Sequence, residues 1–101
     1  MMVQRIAALL PDAEQRRMFG GRAFFADGNM LVCVRKDESL MVRVGAADYE
    51  AALAEPGVGP CDGTGRPMRG WVVVRPASLE GDALAHWVGR ASAFVATLPP
   101  K

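Results

Sequence analysis

Apolar residues recur at helical spacing near both ends of the chain. Residues 2–10 keep a three-four apolar spacing until Pro11 interrupts it, which predicts a short helix. A longer amphipathic helix is predicted near the other end by an apolar stripe made of Leu84, Trp87, Val88, Ala91, Phe94, Val95 and Leu98. Asp82 suits the N-cap or the first turn of this helix, and Pro99-Pro100 should end it.

Between these helices, stretches rich in β-branched and large apolar residues alternate with turn residues. An antiparallel meander is predicted at residues 22–26, 29–35 and 39–44, followed by a fourth main strand within residues 68–75. Asp27-Gly28 suits the positive φ angles of a type I′ hairpin turn. The alternation in residues 40–44 places Arg43 on the face opposite Leu40, Val42 and Val44, which favours a sheet with helices on one face only.

The remaining segments are shorter or more polar. Residues 12–17 are expected to be a turn that leads into an extended segment ending at Gly20-Gly21, and residues 46–53 a helix. Residues 57–65 contain four glycines and a proline, which predicts an irregular loop. The sequence therefore predicts one α+β domain over residues 1–101, with a two-layer fold: an antiparallel sheet, formed by a meander plus a later strand, packed by helices on one face.

Composition supports an ordered domain and limits the classes of partner. The chain has 101 residues, of which 50% are hydrophobic and 23% charged, as in globular proteins. Its net charge of +1 gives no general attraction to nucleic acid or to anionic membranes, so such binding would need a local patch. No stretch approaches the ~20 apolar residues that span a bilayer, and the N-terminus does not resemble a signal peptide, so a cytoplasmic location without membrane contact is expected.

The sequence contains few residues that could carry out catalysis or bind a metal. Cys33 and Cys61 are not at metal-binding spacing and are expected to be thiols rather than a disulfide. His86 is the only histidine, and it is interpreted as a surface residue of the last helix. A Cys-His nucleophile pair would require one of the thiols to lie within hydrogen-bond reach of His86, and nothing in the sequence places them together. We therefore predict no catalytic, cofactor or metal site, and no enzyme activity.

Two glycine-rich segments could be taken for nucleotide-binding loops. Residues 57–66 lack the Lys-Ser/Thr ending of a phosphate loop and lead into a strand instead of a helix. Gly20-Gly21 lacks the spacing of a dinucleotide-binding motif, and two adjacent glycines before a strand indicate positive φ or close backbone approach. We interpret Met18, Phe19, Gly20 and Gly21 as a structural motif in which Met18 and Phe19 anchor the core.

Charged residues are segregated along the second half of the chain. Four acidic residues (Asp48, Glu50, Glu55 and Asp62) precede three basic residues, Arg66, Arg69 and Arg75, which we consider as an interaction patch. The two groups could steer a charged partner or support self-association, or they could be two solvated faces. Arg16, Arg17 and Arg22 flank the glycine pair and would extend the basic area. Few aromatic residues are available for stacking on bases, so nucleic-acid contact is unsupported.

Several of these segments together resemble the N-terminal domain of the TfoX/Sxy family, which is associated with regulation of natural competence. The resemblance runs from about Leu9 to Leu98, and Met18-Phe19-Gly20-Gly21 is its most specific part. The other segments that carry it are residues 24–28, residues 40–44, Gly65-Arg66-Pro67-Met68 with Trp71, and Leu84-Ala85-His86-Trp87. The tyrosine-rich strand common in that family is here Gly70-Trp71-Val72-Val73-Val74. Full-length competence regulators of the family also carry a second, C-terminal domain, and this chain is expected to correspond to the N-terminal domain alone.

The resemblance implies a two-layer α+β fold, no enzyme activity and no known cofactor. It makes a non-catalytic regulatory or protein-interaction module, acting on a protein partner or as a homodimer, the leading functional hypothesis. One alternative is a small-molecule binder with a pocket between the sheet and the C-terminal helix, lined by Met18, Phe19, Phe24 and Trp71. A third hypothesis is an enzyme that uses His86 with Cys33 or Cys61.

Overall fold

A computed structural model describes residues 2–18, 20–61 and 68–101 of the chain. These residues form three α-helices and six strands. The helices are α1 (Met2–Leu9), α2 (Tyr49–Leu53) and α3 (Asp82–Val95), with a 3-10 helix at Pro76–Leu79. The strands are β1 (Glu14–Met18), β2 (Gly21–Ala26), β3 (Asn29–Val34), β4 (Leu40–Arg43), β5 (Val58–Pro60) and β6 (Trp71–Val74).

The described strands form one antiparallel sheet in the order β1-β2-β3-β4-β6-β5. The predicted α+β class, with a meander and a later strand, is confirmed. The prediction of an irregular loop over residues 57–65 is wrong at its start, because Val58–Pro60 pairs with β6 at the sheet edge. The sequence of this segment does not predict a strand, because it contains Gly59 and Pro60. Proline is nevertheless tolerated on an edge strand, where no neighbouring strand needs a hydrogen bond from its missing N–H.

The polar segment before the glycine pair is also more regular than a turn. β1 begins at Glu14, and its side chains from Glu14 to Arg17 are exposed. Its residues have no apolar alternation of their own, and the strand exists because it pairs with β2 along its whole length. The sheet therefore has a charged edge strand, which is a common way to discourage pairing with other chains.

The β2–β3 turn has the backbone that the Asp-Gly pair predicts. Asp27 and Gly28 have φ of 52° and 83°, and a type I′ turn requires positive φ at both central residues. The C-terminal tail returns to this hairpin, where the Lys101 N–H donates to the Asp27 carbonyl at 2.8 Å. The Asn29 side-chain amide donates to the Pro99 carbonyl at 3.1 Å, which satisfies a buried polar group.

The main core lies between the helices and one face of the sheet. Phe24, on β2, is fully buried there, together with alternate residues of β3, β4 and β6. The apolar stripe of α3 packs against this face as predicted, and its fully or nearly buried members are Leu84, Trp87, Val88, Ala91 and Val95. α3 ends at Val95, with Asp82 in its first turn. The prediction that the helices occupy a single face is confirmed.

The opposite face of the sheet carries a second, smaller apolar cluster that the strand alternation did not predict. Its buried members are Ala23, Phe25, Cys33, Met41 and Cys61, with Met18, Met30, Trp71 and Val73 partly buried around them. Arg43 lies on this face as expected, but its guanidinium carbon sits 5.3 Å from the centre of the Trp71 ring. The Arg16 guanidinium carbon likewise lies 4.5 Å from the Phe25 ring. Arginines can cover aromatic rings in this way while their charges stay hydrated, so a charged residue in the alternation does not imply a polar face.

The β3–β4 turn is held by Asp37 and provides a pH-dependent contribution to stability. The Ser39 hydroxyl and the Ser39 backbone N–H, the latter at 3.0 Å, both donate to the Asp37 Oδ1 oxygen. These bonds, with a smaller effect of Arg35, hold the pKa of Asp37 below its ordinary value. Because the fold favours the ionised carboxylate, this contribution is present above the ordinary carboxyl pKa and is lost as pH falls through the lowered pKa.

We therefore expect Asp37→Asn to lower the free energy of unfolding slightly at neutral pH and to reduce the further loss in acid. Urea denaturation at neutral and acidic pH measures both effects. Glu38→Gln is the matched control, since it removes a carboxylate from the same turn without touching Ser39. An acid loss in Asp37→Asn as large as in the wild type would contradict this account.

Candidate functional site

The Gly20-Gly21 bend joins β1 to β2 and needs both glycines for different reasons. Gly20 has a φ of 75°, which side chains other than glycine rarely adopt. A Cβ added to Gly21 would lie 1.7 Å from the Val34 carbonyl oxygen of β3, far inside van der Waals contact. Met18 is half-buried in the second apolar cluster, and Phe19 lies outside the described residues. The bend is therefore a point of close backbone approach.

Cationic residues gather at the end of the sheet where this bend lies. Because hairpin turns alternate between the two ends of a meander, the β1–β2 bend, the β3–β4 turn, the end of β6 and the start of β5 share one end. The cationic residues described there are Arg17, Arg22, Arg35, Lys36 and Arg75, which we call the basic end.

The basic end contains two adjoining cavities. The first, the glycine-bend groove, has a volume of about 490 Å³ and is lined by Val3, Arg17, Gly20, Gly21, Arg22, Val34, Arg35 and Lys36. The second, of about 340 Å³, is lined by Arg35, Gly57, Val58, Gly59, Pro60, Val73 and Arg75. Arg35 lines both, so the two cavities meet at this residue. No acidic residue is among the described residues that line either cavity.

The cationic side chains of the basic end form no ion pair within the described part of the chain. The ion pairs found there are Arg16 with Glu14 and Arg90 with Glu55, and neither involves the basic end. In residues 2–18, 20–61 and 68–101, no hydrogen bond from a basic-end side chain is found either. Arg35 interacts electrostatically with Asp37, whose carboxylate accepts hydrogen bonds from Ser39. The basic end therefore has several positively charged side chains beside two open cavities.

The patch proposed from the sequence is only partly related to this surface. Arg69 precedes β6 and Arg75 follows it, so the structure places these two exposed residues at opposite ends of the strand. Arg66 lies outside the described residues. Arg75 instead neighbours Arg35, which the sequence did not single out, nor did it single out Lys36. The alternation of turns in a meander is the signal that could have linked Arg35 and Lys36 to Arg17 and Arg22.

The structure does not bring His86 together with the cysteines. His86 is exposed on α3, with its ring edge-on to Trp87 at 6.2 Å between centroids. Cys33 and Cys61 belong to the apolar cluster on the sheet face that the helices do not cover, and no disulfide joins them. Burial raises the pKa of the Cys33 thiol, which favours its protonated, less nucleophilic form. Within the described residues, histidine, cysteine and carboxylate side chains form no group of three that could hold a metal ion.

The pocket expected for a small molecule is likewise not formed as predicted. Phe24 is fully buried on the helix-covered face, whereas Met18 and Trp71 lie in the cluster on the other face. Phe24 therefore points away from Met18 and Trp71, because it faces the helix-covered side of the sheet and they face the other side. Phe19, the fourth residue, is outside the described residues.

Comparisons with known proteins identify a family without naming an activity. A family model described as the TfoX N-terminal domain matches residues 5–95. Neither the comparison with curated proteins nor the comparison with solved structures finds a match. None of the described helices has the length and apolarity needed to cross a membrane. Since the family match covers most of the 101 residues, the chain belongs to the TfoX N-terminal domain family.

Proposed function

We propose that this protein is a non-catalytic regulatory module that binds an acidic protein partner through the basic end. The observation that carries the proposal is the grouping of cationic side chains around two cavities at one end of the sheet, with no ion pair to any of them among the described residues; these are Arg17, Arg22, Arg35, Lys36 and Arg75. Family membership supports a regulatory role, by analogy with the competence regulators of the TfoX/Sxy family.

The charge of this surface is local, which matters for selectivity. The chain as a whole carries a net charge of only +1, so its overall field gives little attraction to polyanions. A concentrated cationic patch on a nearly neutral protein raises the association rate with a partner of complementary charge and disfavours basic partners. Binding through the basic end should therefore weaken as ionic strength rises, because exposed charges are screened over about 10 Å at 0.1 M salt.

The same surface disfavours a homodimer formed through the basic ends of two copies, because each copy would present like charges to the other. Pairing of two β1 edges is disfavoured as well, since an antiparallel pair centred on Arg16 places the two Arg16 side chains directly opposite each other. An acidic protein partner therefore fits the basic end better than a second copy of the chain.

The test is affinity capture with three forms of the full chain. Wild type and the control Arg16→Gln/Arg69→Gln should retain the same partner, whereas Arg35→Gln/Arg75→Gln should lose it, although both double variants remove two positive charges. The captured partner should then bind the purified wild type with an affinity that falls with added salt. Equal retention by the two double variants, or a captured partner without an acidic surface, would overturn the proposal.

A further inference from the structure

We propose that the glycine-bend groove is a binding site for a phosphate group, held between Arg17 and Arg22 with Arg35 and Lys36 beside it. This inference rests on the basic end being the binding surface, and it assigns the ligand chemistry of one part of that surface. A phosphate group is the shared chemistry of free inorganic phosphate and of a phosphorylated side chain on a protein partner.

The first observation is the strand register next to the bend. Arg17 on β1 and Arg22 on β2 are directly opposite each other, one pair before the Met18–Gly21 pair that closes the strands. Directly opposed residues have Cβ atoms only about 5 Å apart, and like charges in such a pair destabilise a sheet. No carboxylate of the described residues pairs with either arginine. The Arg17–Arg22 pair is therefore repulsive, and no ion pair within the described residues offsets the repulsion.

The second observation is that the groove adds cations from a third strand. Arg22 also lies opposite Val34 of β3, and Arg35 and Lys36 follow Val34 directly and line the same groove. Val3, in the first turn of α1, forms another part of the wall. The first turn of a helix carries partial positive charge and unpaired N–H groups, so this neighbour adds to the positive potential. Asp37 and Glu38, the acids of the adjoining turn, do not line the groove.

The third observation concerns the shape and chemistry of the groove. Gly20 and Gly21 contribute no side chains to the lining, and the groove is open, with about 490 Å³ of volume. A phosphate offers several acceptor oxygens and close to two negative charges, so it can bridge two guanidinium groups, whereas one carboxylate carries a single charge. No aromatic residue is among the described residues of the lining, so the groove offers nothing on which a base could stack.

The first test measures thermal stability in inorganic phosphate against sodium chloride at matched ionic strength. We expect phosphate, and sulfate as its mimic, to raise Tm saturably, whereas chloride should not. Arg22→Gln should weaken phosphate binding by about tenfold or more, since it removes one side of a charge-assisted clamp. Arg16→Gln is the matched control, because it removes the same charge from β1 on the opposite face and should leave phosphate binding unchanged.

A second measurement separates a binding role from a structural one. At low salt without phosphate, Arg17→Gln should melt at a higher temperature than the wild type, because it removes the repulsion from Arg22, yet it should lose the stabilisation by phosphate. An Arg17→Gln variant that melts below the wild type under these conditions would contradict the repulsive pair. Equal effects of phosphate and chloride on the wild type would overturn the site.

Two further arms distinguish the sources of the phosphate. A phosphoserine peptide that binds more tightly than both its unphosphorylated copy and free phosphate would identify a phosphorylated partner, whereas binding of inorganic phosphate alone would identify the free ion. A short DNA duplex that binds without being displaced by phosphate would overturn the discrete site in favour of a diffuse polyanion surface. If phosphate has no effect but Arg35→Gln/Arg75→Gln still loses the acidic partner, this inference fails while the proposed function stands.

Discussion

Replacing Gly21 with alanine is expected to destabilise the protein by more than about 4 kcal/mol, enough to leave much of a domain of this size unfolded. The added Cβ would lie 1.7 Å from the Val34 carbonyl oxygen and 2.8 Å from the Val34 carbonyl carbon. These are backbone atoms of a central strand, so they cannot move aside without breaking the pairing of β2 with β3. Gly21→Val should be at least as severe. Circular dichroism and urea denaturation measure the loss.

Two other glycine substitutions make this prediction specific. Gly20→Ala has space for its Cβ, with the nearest atom, in the Lys36 side chain, at 3.7 Å, so only the positive φ should cost free energy, about 1–2 kcal/mol. Gly89 is exposed on α3 with nothing within 4 Å of an added Cβ, so Gly89→Ala should stabilise the protein by about 0.5–1 kcal/mol. If Gly21→Ala melted like either of these variants, the close approach to Val34 would be misassigned.

Replacing Phe24 with alanine should lower the free energy of unfolding by about 3–5 kcal/mol. Phe24 is fully buried on the helix-covered face, where β2 meets the main core. Removing its ring takes away buried apolar surface and leaves a cavity that the surrounding strands cannot close, because Val32 is held opposite it by the β2–β3 register. Urea denaturation with an unchanged m value would show that the loss is one of stability.

Leu9→Ala provides the comparison for this truncation, because it also shortens an apolar side chain. Leu9 is 43% exposed at the end of α1, so its loss should change stability by no more than about 0.5 kcal/mol. A similar loss in both variants would mean that Phe24 is less enclosed than its burial indicates.

The parts of the fold that could be predicted from the sequence are those with a strong local signal. The stripe of α3 repeats over four turns, so its face could be assigned before any partner was known. Asp27-Gly28 determines its own backbone, and the positive φ values of both residues follow from their chemistry. Gly20-Gly21 predicted positive φ or a close backbone approach. The sequence could not identify the atom that approaches Gly21, because that atom belongs to β3.

The features that could not be predicted depend on pairing between distant segments. Val58–Pro60 is a strand because its backbone pairs with β6. No residue of the segment favours a strand strongly enough to predict it from the sequence. The second apolar cluster could not be predicted, because Arg16 and Arg43 lie over its aromatic rings and their charges make the sequence pattern indicate a polar face. The basic end unites residues from three separate turns, so it becomes visible only when the strand order is known.

The strand order also has a consequence for the route by which the chain folds. β1 to β4 pair through successive hairpins, so each contact closes a short loop at low entropic cost. β4 then pairs with β6 instead of β5, and Arg43 meets Trp71 only after the whole intervening segment, including α2, has been looped out. β5 pairs only with β6, so it joins the sheet through the contact of β6 with β4. The meander is thus the part of the sheet that can form first, and the cavity shared by Arg35 and Arg75 is among the last features to be completed.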